Sequence, residues 1–275
     1  MKTKTAATLR IKKLYHYQSF MKPESFARIF TEGTIYFSIP RDFNDPWDCR
    51  PCFNKSALDD PQVHERTIRY LVNNGKKWNT PLSEKEHSRR EQIMRSDRKF
   101  LEWMVDQMTS AMEGAIQNQY RVYCLSPQPD SILMWSHYAD KSKGLCLEFS
   151  IHNELFCSAL QVQYHSRYPV FSVSDTDEDA NFGPLVSKSV DWAYEQEFRV
   201  IATEHPFVFQ DVPTANQGFV GLPQGALQSV IVGPLMSEPN RKLVRQVIQK
   251  SGWNVALMAA SFVPDQYKFE IRPLD

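Results

Sequence analysis

Two glutamates one residue apart, Glu195 and Glu197, sit in the segment Trp192-Ala-Tyr-Glu-Gln-Glu-Phe-Arg199. On a strand the i, i+2 spacing points both to one face, and Arg199 joins them there. Neighbouring carboxylates push one pKa upward unless a cation compensates, which suits acid–base work or the stabilisation of a developing positive charge. The same residues would also make an ordinary Glu–Arg ladder on a surface strand. His16 lies within Leu14-Tyr-His-Tyr17, a strand-like run in which a histidine is commonly a satisfied core or edge residue. The stretch Pro40-Arg-Asp-Phe-Asn-Asp-Pro-Trp-Asp48 carries Arg41, Asp42, Asn44, Asp45 and Asp48, more charge than a tight turn requires. Trp135-Ser-His-Tyr138, followed by Lys143-Gly144, reads either as a packed helix or as an aromatic wall, with His137, for a planar ring. Cys49-Arg-Pro-Cys52 lacks the second pair or the nearby histidines that a zinc site needs, so no metal is expected there.

The elements that must position these residues follow from periodicity. Residues 14–17 and 34–38 read as strands around a short amphipathic helix over 23–32, which Gly33 ends. From 55 to 120 the pattern turns helical. Ser83 and Glu86 form a capping box, and Ile93, Phe100, Leu101, Met104, Val105, Met108 and Met112 make a stripe read as core packing. Strands return at 121–125, 144–149, 159–164, 226–233, 255–262 and 267–272. Asp130 is expected to cap a short helix holding Trp135 to Tyr138, and residues 191–201 to pass from a polar turn into a strand. Ser237 is expected to cap a helix that Gly252 ends, residues 172–187 to form a mobile loop, and residues 1–13 a frayed basic lead-in. The expected fold class is α+β: a mixed, mostly antiparallel sheet core with packed helices and a helical insertion at about 55–120, all in one domain spanning 14–275.

Composition narrows the function classes. Lysine plus arginine equals aspartate plus glutamate at 32 each, which argues against a general nucleic-acid binder. No apolar run approaches the roughly 20 residues that span a bilayer, and no secretory signal is present, so no membrane partner is expected. Five cysteines without a regular framework point to a reducing, cytoplasmic setting.

The segments LYHYQS, IYFSIPRDFNDPWDC, LMWSHYADKSKGLCLEF and WAYEQEFRV resemble the domain-of-unknown-function family 2971, in order and spacing from residue 14 to about 272. Some members of that family are associated with phage defence. The layout also looks like the ADP-ribosyltransferase fold, in which a histidine on the first strand, a middle aromatic and a late glutamate serve the site. Glu195-Gln-Glu197 is similar to the ExE motif of its arginine-modifying branch. That resemblance implies NAD as substrate and Glu197 as the catalytic carboxylate, with His16 orienting the ribose and Glu195 choosing or activating a protein or nucleic-acid acceptor. Tyr36 or Tyr138 would be the stacking aromatic. Apart from that resemblance, Arg41, Asn44, Asp45, Trp135, His137 and Arg199 are read as binding residues from the polar clusters at strand ends, and His16, Arg41, Asn44, Asp45, Trp135, His137, Tyr138, Glu195 and Glu197 are expected to converge on one concave pocket. Two further readings stand beside it. One is a metal-dependent nuclease or phosphohydrolase using Asp42, Asp45, Asp48, Glu195 and Glu197. The other is a non-catalytic nucleotide- or partner-sensing module.

Overall fold

The computed structural model describes residues 4–78, 83–171, 178–205 and 212–274. Its first strand, β1 (Lys13–Gln18), alternates side chains between two buried faces. Pro23 in the first turn and a stripe of Phe26, Ile29 and Phe30 make α1 (Pro23–Thr31), and Gly33, at φ +63°, turns the chain into β2 (Thr34–Tyr36). A helical block follows, α2 (Pro61–Trp78), α3 (Glu84–Ser96) and α4 (Arg98–Gln119). Then come β3 (Tyr120–Leu125), α5 (Ile132–Tyr138), β4 (Leu145–Ser150), β5 (Leu160–Gln161), β6 (Gln163–His165), β7 (Ser187–Ser189) and β8 (Phe198–Thr203). The chain closes with β9 (Phe219–Gly221), β10 (Leu227–Val232), α6 (Glu238–Ser251), β11 (Ala256–Phe262) and β12 (Phe269–Pro273).

The fold is α+β, with mixed and mostly antiparallel sheets. The largest has the order β1-β4-β10-β11-β12, and its one parallel pair, β10 with β11, is joined through α6. A crossover helix is what a parallel neighbour demands, since a tight hairpin joins only antiparallel strands. A second sheet, β3-β8-β5, is antiparallel throughout, and two small ribbons pair β2 with β9 and β6 with β7. Period-2 alternation divides the core. Leu14, Leu145, Leu147, Phe149, Val230 and Val232 face α1 and α6, and meet Tyr123, Phe198 and Val200 from the second sheet. Tyr15, Tyr17, Cys146 and Ile231 point the other way, onto Met134 and Trp135 of α5. On the far side of the second sheet, Val122 and Ile201 pack with Ile116, Leu185 and Cys49.

The helical block has a small core of its own, built on Ile68, Leu71, Met94, Leu101 and Val105. The expected stripe is therefore core, with Met94 buried in place of Ile93. It spans two helices because Asp97 caps α4 through the backbone N–H groups of Lys99 and Phe100. The Ser83–Glu86 capping box forms as expected.

Four local expectations are corrected. Ser131, not Asp130, caps α5 by accepting from the Met134 N–H, whereas Ser237 does hold the N-cap position of α6, without a side-chain hydrogen bond. The lead-in is docked from residue 4 onward: Thr5 bridges Leu160, and Ala6 is buried with its N–H on the Ala159 carbonyl. Of the expected loop over 172–187, residues 172–177 lie outside the described residues. Residues 178–186 form a 3₁₀ turn whose Leu185 and Val186 are buried, and Ser187 already belongs to β7. Residues 159–164 divide between β5 and β6 because Val162 donates to the Glu197 carbonyl between them. Among the described residues no helix is long and apolar enough to cross a membrane.

Candidate active site

Arg199 stands on β8 opposite Cys124 of β3, on the face away from the main core, and is fully buried. An arginine survives there only if its fork is filled. Its Nε and Nη2 donate to the two oxygens of Glu197 at 2.8 and 2.9 Å, and its Nη1 and Nη2 to those of Asp48 at 2.8 and 2.6 Å. The Leu185 carbonyl takes a further bond from Nη1 at 2.8 Å. Two bidentate carboxylates on one guanidinium make a rigid planar assembly. Asp48 reaches it from the 40–51 loop, where Asp45 accepts the Trp47 N–H and Cys49 takes a left-handed φ of 57°.

Lys188 brings the second cation. Its ammonium lies 2.6 Å from Glu195, 3.4 Å from Glu197 and 3.6 Å from Asp48. It arrives on β7, held parallel to β6, and Tyr164 of β6 accepts the Glu197 N–H at 2.8 Å. Three buried carboxylates thus share two buried cations. Their pKa values part accordingly. Burial pushes Glu197 up, but Arg199 and Lys188 outweigh it and hold that carboxyl down at about 2. Burial and the neighbouring Glu197 push Glu195 up, against the pull of Lys188 and Tyr138, and its pKa is raised. Two glutamates two residues apart therefore differ in kind: one is held low by two cations and the other is raised by burial and its neighbour.

Glu195 is not on a strand, contrary to the i, i+2 expectation. It ends a 3₁₀ turn over Val190–Glu195, and Gln196 then takes a left-handed conformation, φ 48°, ψ 43°, before β8 begins. That kink, and no pleat, brings both carboxylates to Lys188. Tyr138 at the end of α5 donates its hydroxyl to Glu195, and Asn44 hydrogen-bonds the Tyr138 side chain. Outside this bond lies an aromatic rim. The rings of Trp192 and Tyr194 are 6.1 Å apart, His137 meets Tyr194 edge-on at 5.9 Å, and the Lys188 ammonium lies 4.8 Å from the Trp192 ring centre.

Some of the expected residues form a buried cluster. Glu195, Glu197, Arg199, Tyr138, His137 and Asn44 come together, and Asp45 shapes the loop that delivers Asp48. Trp135 is a core residue, with its indole N–H on the Pro129 carbonyl and its ring edge-on to Tyr17. Tyr36 is 49% exposed against Phe219, and Arg41 is exposed on Asn118; neither reaches Glu195. His16 lies across β3 from the cluster. It stacks on Tyr123, which points into the main core, and its Nδ1 meets the Cys124 carbonyl at 2.8 Å. The Cys124 thiol reaches Glu197 on the other side, because adjacent strand residues face opposite ways. Burial lowers the His16 pKa to about 4, though the ring keeps some solvent contact. Asp48, a metal ligand in the nuclease reading, is instead a partner of Arg199 and Lys188. Lys188 and Tyr164 were missed because Ser-Lys-Ser and Gln-Tyr-His carry no local signal; their roles come from a parallel ribbon. Two open depressions lie elsewhere, one of about 530 Å³ between Pro127–Leu133 and Tyr267, the other of about 430 Å³ along α6.

The family model described as "Protein of unknown function (DUF2971)" matches residues 134–200. That span runs from α5 to Arg199 and contains Tyr138, Tyr164, Lys188, Trp192, Tyr194 and both glutamates. Asn44 and Asp48 lie outside it. No curated protein matches, and no solved structure matches.

Proposed function

We propose that the chain is an enzyme that cleaves the N-glycosidic bond of NAD, as an ADP-ribosyltransferase or an NAD hydrolase, with Glu195 as its working carboxylate. One observation carries this reading: Glu195 is a buried carboxyl of raised pKa with one oxygen on Lys188 and the other on a phenol, Tyr138, beside the aromatic residues His137, Trp192 and Tyr194. Perturbed carboxyls in such settings are the usual acid–base groups of enzymes. Glu197, the residue the ExE resemblance implies, has both oxygens held by Arg199 and is better suited to fixing the frame.

In this reading a ribose hydroxyl replaces the Tyr138 hydroxyl on Glu195. The glycosidic electron pair leaves with nicotinamide, positive charge develops on the ribose, and the carboxylate stabilises it. An acceptor hydroxyl, of water, a protein or a nucleic acid, then bonds to the anomeric carbon and loses its proton to Glu195. The metal-dependent reading is less well supported. Lys188 and Arg199 already stand between the three carboxylates, and among the described residues no group of three metal-ligating side chains is placed to hold an ion. Such an enzyme would act in the cytoplasm, where NAD depletion suits the phage-defence association of the resembled family.

The test is nicotinamide release from NAD by purified protein, with and without cell extract as acceptor source. Glu195→Gln is expected to lower the rate by about 10²–10³ while the far-UV spectrum stays unchanged. Undiminished release in Glu195→Gln, or activity abolished by EDTA, sinks the proposal. No release under any acceptor condition favours a binding module at the same site.

A further inference from the structure

Immediately after Tyr138 the chain does something costly. Asp140, Lys141 and Ser142 take positive φ in succession, at 46°, 53° and 66°, and none is glycine. Left-handed conformations of such residues are normally single and short of partners. Here the turn is held from both sides. The N–H groups of Lys141, Ser142 and Gly144 close back onto the carbonyls of Ser136, Trp135 and Ala139. From β10 and beyond, Gly233 donates to the Gly144 carbonyl and Leu235 to that of Ser142. The fit leaves no slack: a Cβ on Gly233 would lie 2.2 Å from the Ser142 oxygen, and one on Gly144 2.2 Å from the Gln18 oxygen. The turn carries Asp140 and Ser142, part-exposed, and Lys141 and Lys143, both exposed, and among the described residues neither ammonium has an ion pair or hydrogen-bond partner. An ordinary helix stop needs only one glycine in the left-handed position.

We infer that the turn Asp140–Lys143 is the phosphate-holding lip of the site, with Lys141 and Lys143 taking the diphosphate of a nucleotide whose glycosidic bond lies over Glu195. The inference rests on the NAD reading for the identity of the ligand, and its placement on chain continuity, since the turn directly follows Tyr138, whose hydroxyl meets Glu195. His137 and Tyr138 belong to the rim and to the Glu195 bond, and the lysines follow them within five residues on a rigid backbone. Two unpaired ammonium groups this close in the chain to His137 and Tyr138 suit a ligand that carries a ring at one end and phosphates beside it.

The experiment is isothermal titration of the full chain with ADP-ribose, adenosine and inorganic pyrophosphate, using wild type and a Lys141→Ala/Lys143→Ala double variant. Both side chains are exposed, so the variant is expected to keep its fold, which circular dichroism checks. ADP-ribose should bind the wild type and lose tenfold or more in the variant, and rising salt should erode the difference. Adenosine should bind both proteins alike. Pyrophosphate binding that depends on the lysines equally, with no advantage for ADP-ribose, would mark a free-phosphate site and overturn the nucleotide assignment. Unchanged ADP-ribose affinity in the variant, or none in the wild type, overturns the inference. Nicotinamide release separates the two proposals. Lysine-dependent ADP-ribose binding without release keeps the lip and removes the glycosidic reading. Release at an unchanged KM in the double variant does the reverse.

Discussion

At the scale of single residues, the two glutamates set opposite pH dependences. Glu197 is ionised in the fold and held down at about 2, so its stabilisation is present above its unfolded pKa near 4.5 and is lost as pH falls towards 2. The difference corresponds to about 3 kcal/mol. Glu195, raised, contributes in the opposite sense: its share is present below the unfolded value and is lost as pH rises through the folded one. His16, lowered to about 4 by burial, adds stability above about 6.5 that is lost as pH falls from there towards 4. Urea unfolding between pH 7 and 3 is therefore expected to show stability declining first through His16 and then through Glu197. In His16→Asn the decline between pH 6.5 and 4 should flatten. Glu197→Gln should cost about 3–5 kcal/mol at pH 7, because Arg199 keeps its charge in a dry site with half its partners gone. A loss below 1 kcal/mol would show that the cluster is wetter than its geometry implies.

At the scale of elements, the left-handed residue between the glutamates decides the site. Gln196, exposed itself, turns the chain from the 3₁₀ turn into β8, and the Tyr164 hydroxyl receives the next N–H. Gln196→Gly should leave stability nearly unchanged, since glycine adopts this conformation freely, whereas Gln196→Val should cost about 1–2 kcal/mol. Thermal unfolding of the two variants side by side checks this. If valine proves harmless, the kink is not what holds Glu195 and Glu197 together. The i, i+2 spacing of Glu195 and Glu197 is compatible with a strand, and only the backbone φ of Gln196 shows that no strand is there.

At the scale of the molecule, the site gathers parts distant in sequence: the 40–51 loop, α5, the β6–β7 ribbon and the start of β8. The helical block α2–α4 meets this assembly mainly through the C-terminal end of α4, where Ile116 packs beside Leu185, and otherwise closes on its own core. Leu101→Ala in that core is expected to cost about 2–5 kcal/mol. Its effect on amide exchange should be greatest in α2–α4, with β3 and β8 largely protected. Equal loss of protection in both regions would mean that the block and the sheets unfold as one unit.

Much of this was legible in the chain itself. The 3.6- and 2-residue periods placed α1, α4, α6 and the strands β1, β3, β4, β10 and β11, because burying an apolar face leaves a local repeat. Residue chemistry marked Asn44, His137, Tyr138, Glu195, Glu197 and Arg199, since buried polar clusters are written in polar residues crowded beside strands. What the sequence left open was which groups share a face and which partners they take. His16 and Glu197 look equivalent as strand-end polar residues, yet adjacent positions of β3 send their contacts to opposite sides. Lys188 looks like a surface lysine between two serines, and it is buried because a parallel ribbon carries it under three carboxylates. The difference between the two glutamates is likewise a tertiary matter: burial acts on both, Arg199 and Lys188 together hold Glu197 down, and the neighbouring Glu197 helps to push Glu195 up against Lys188 and Tyr138.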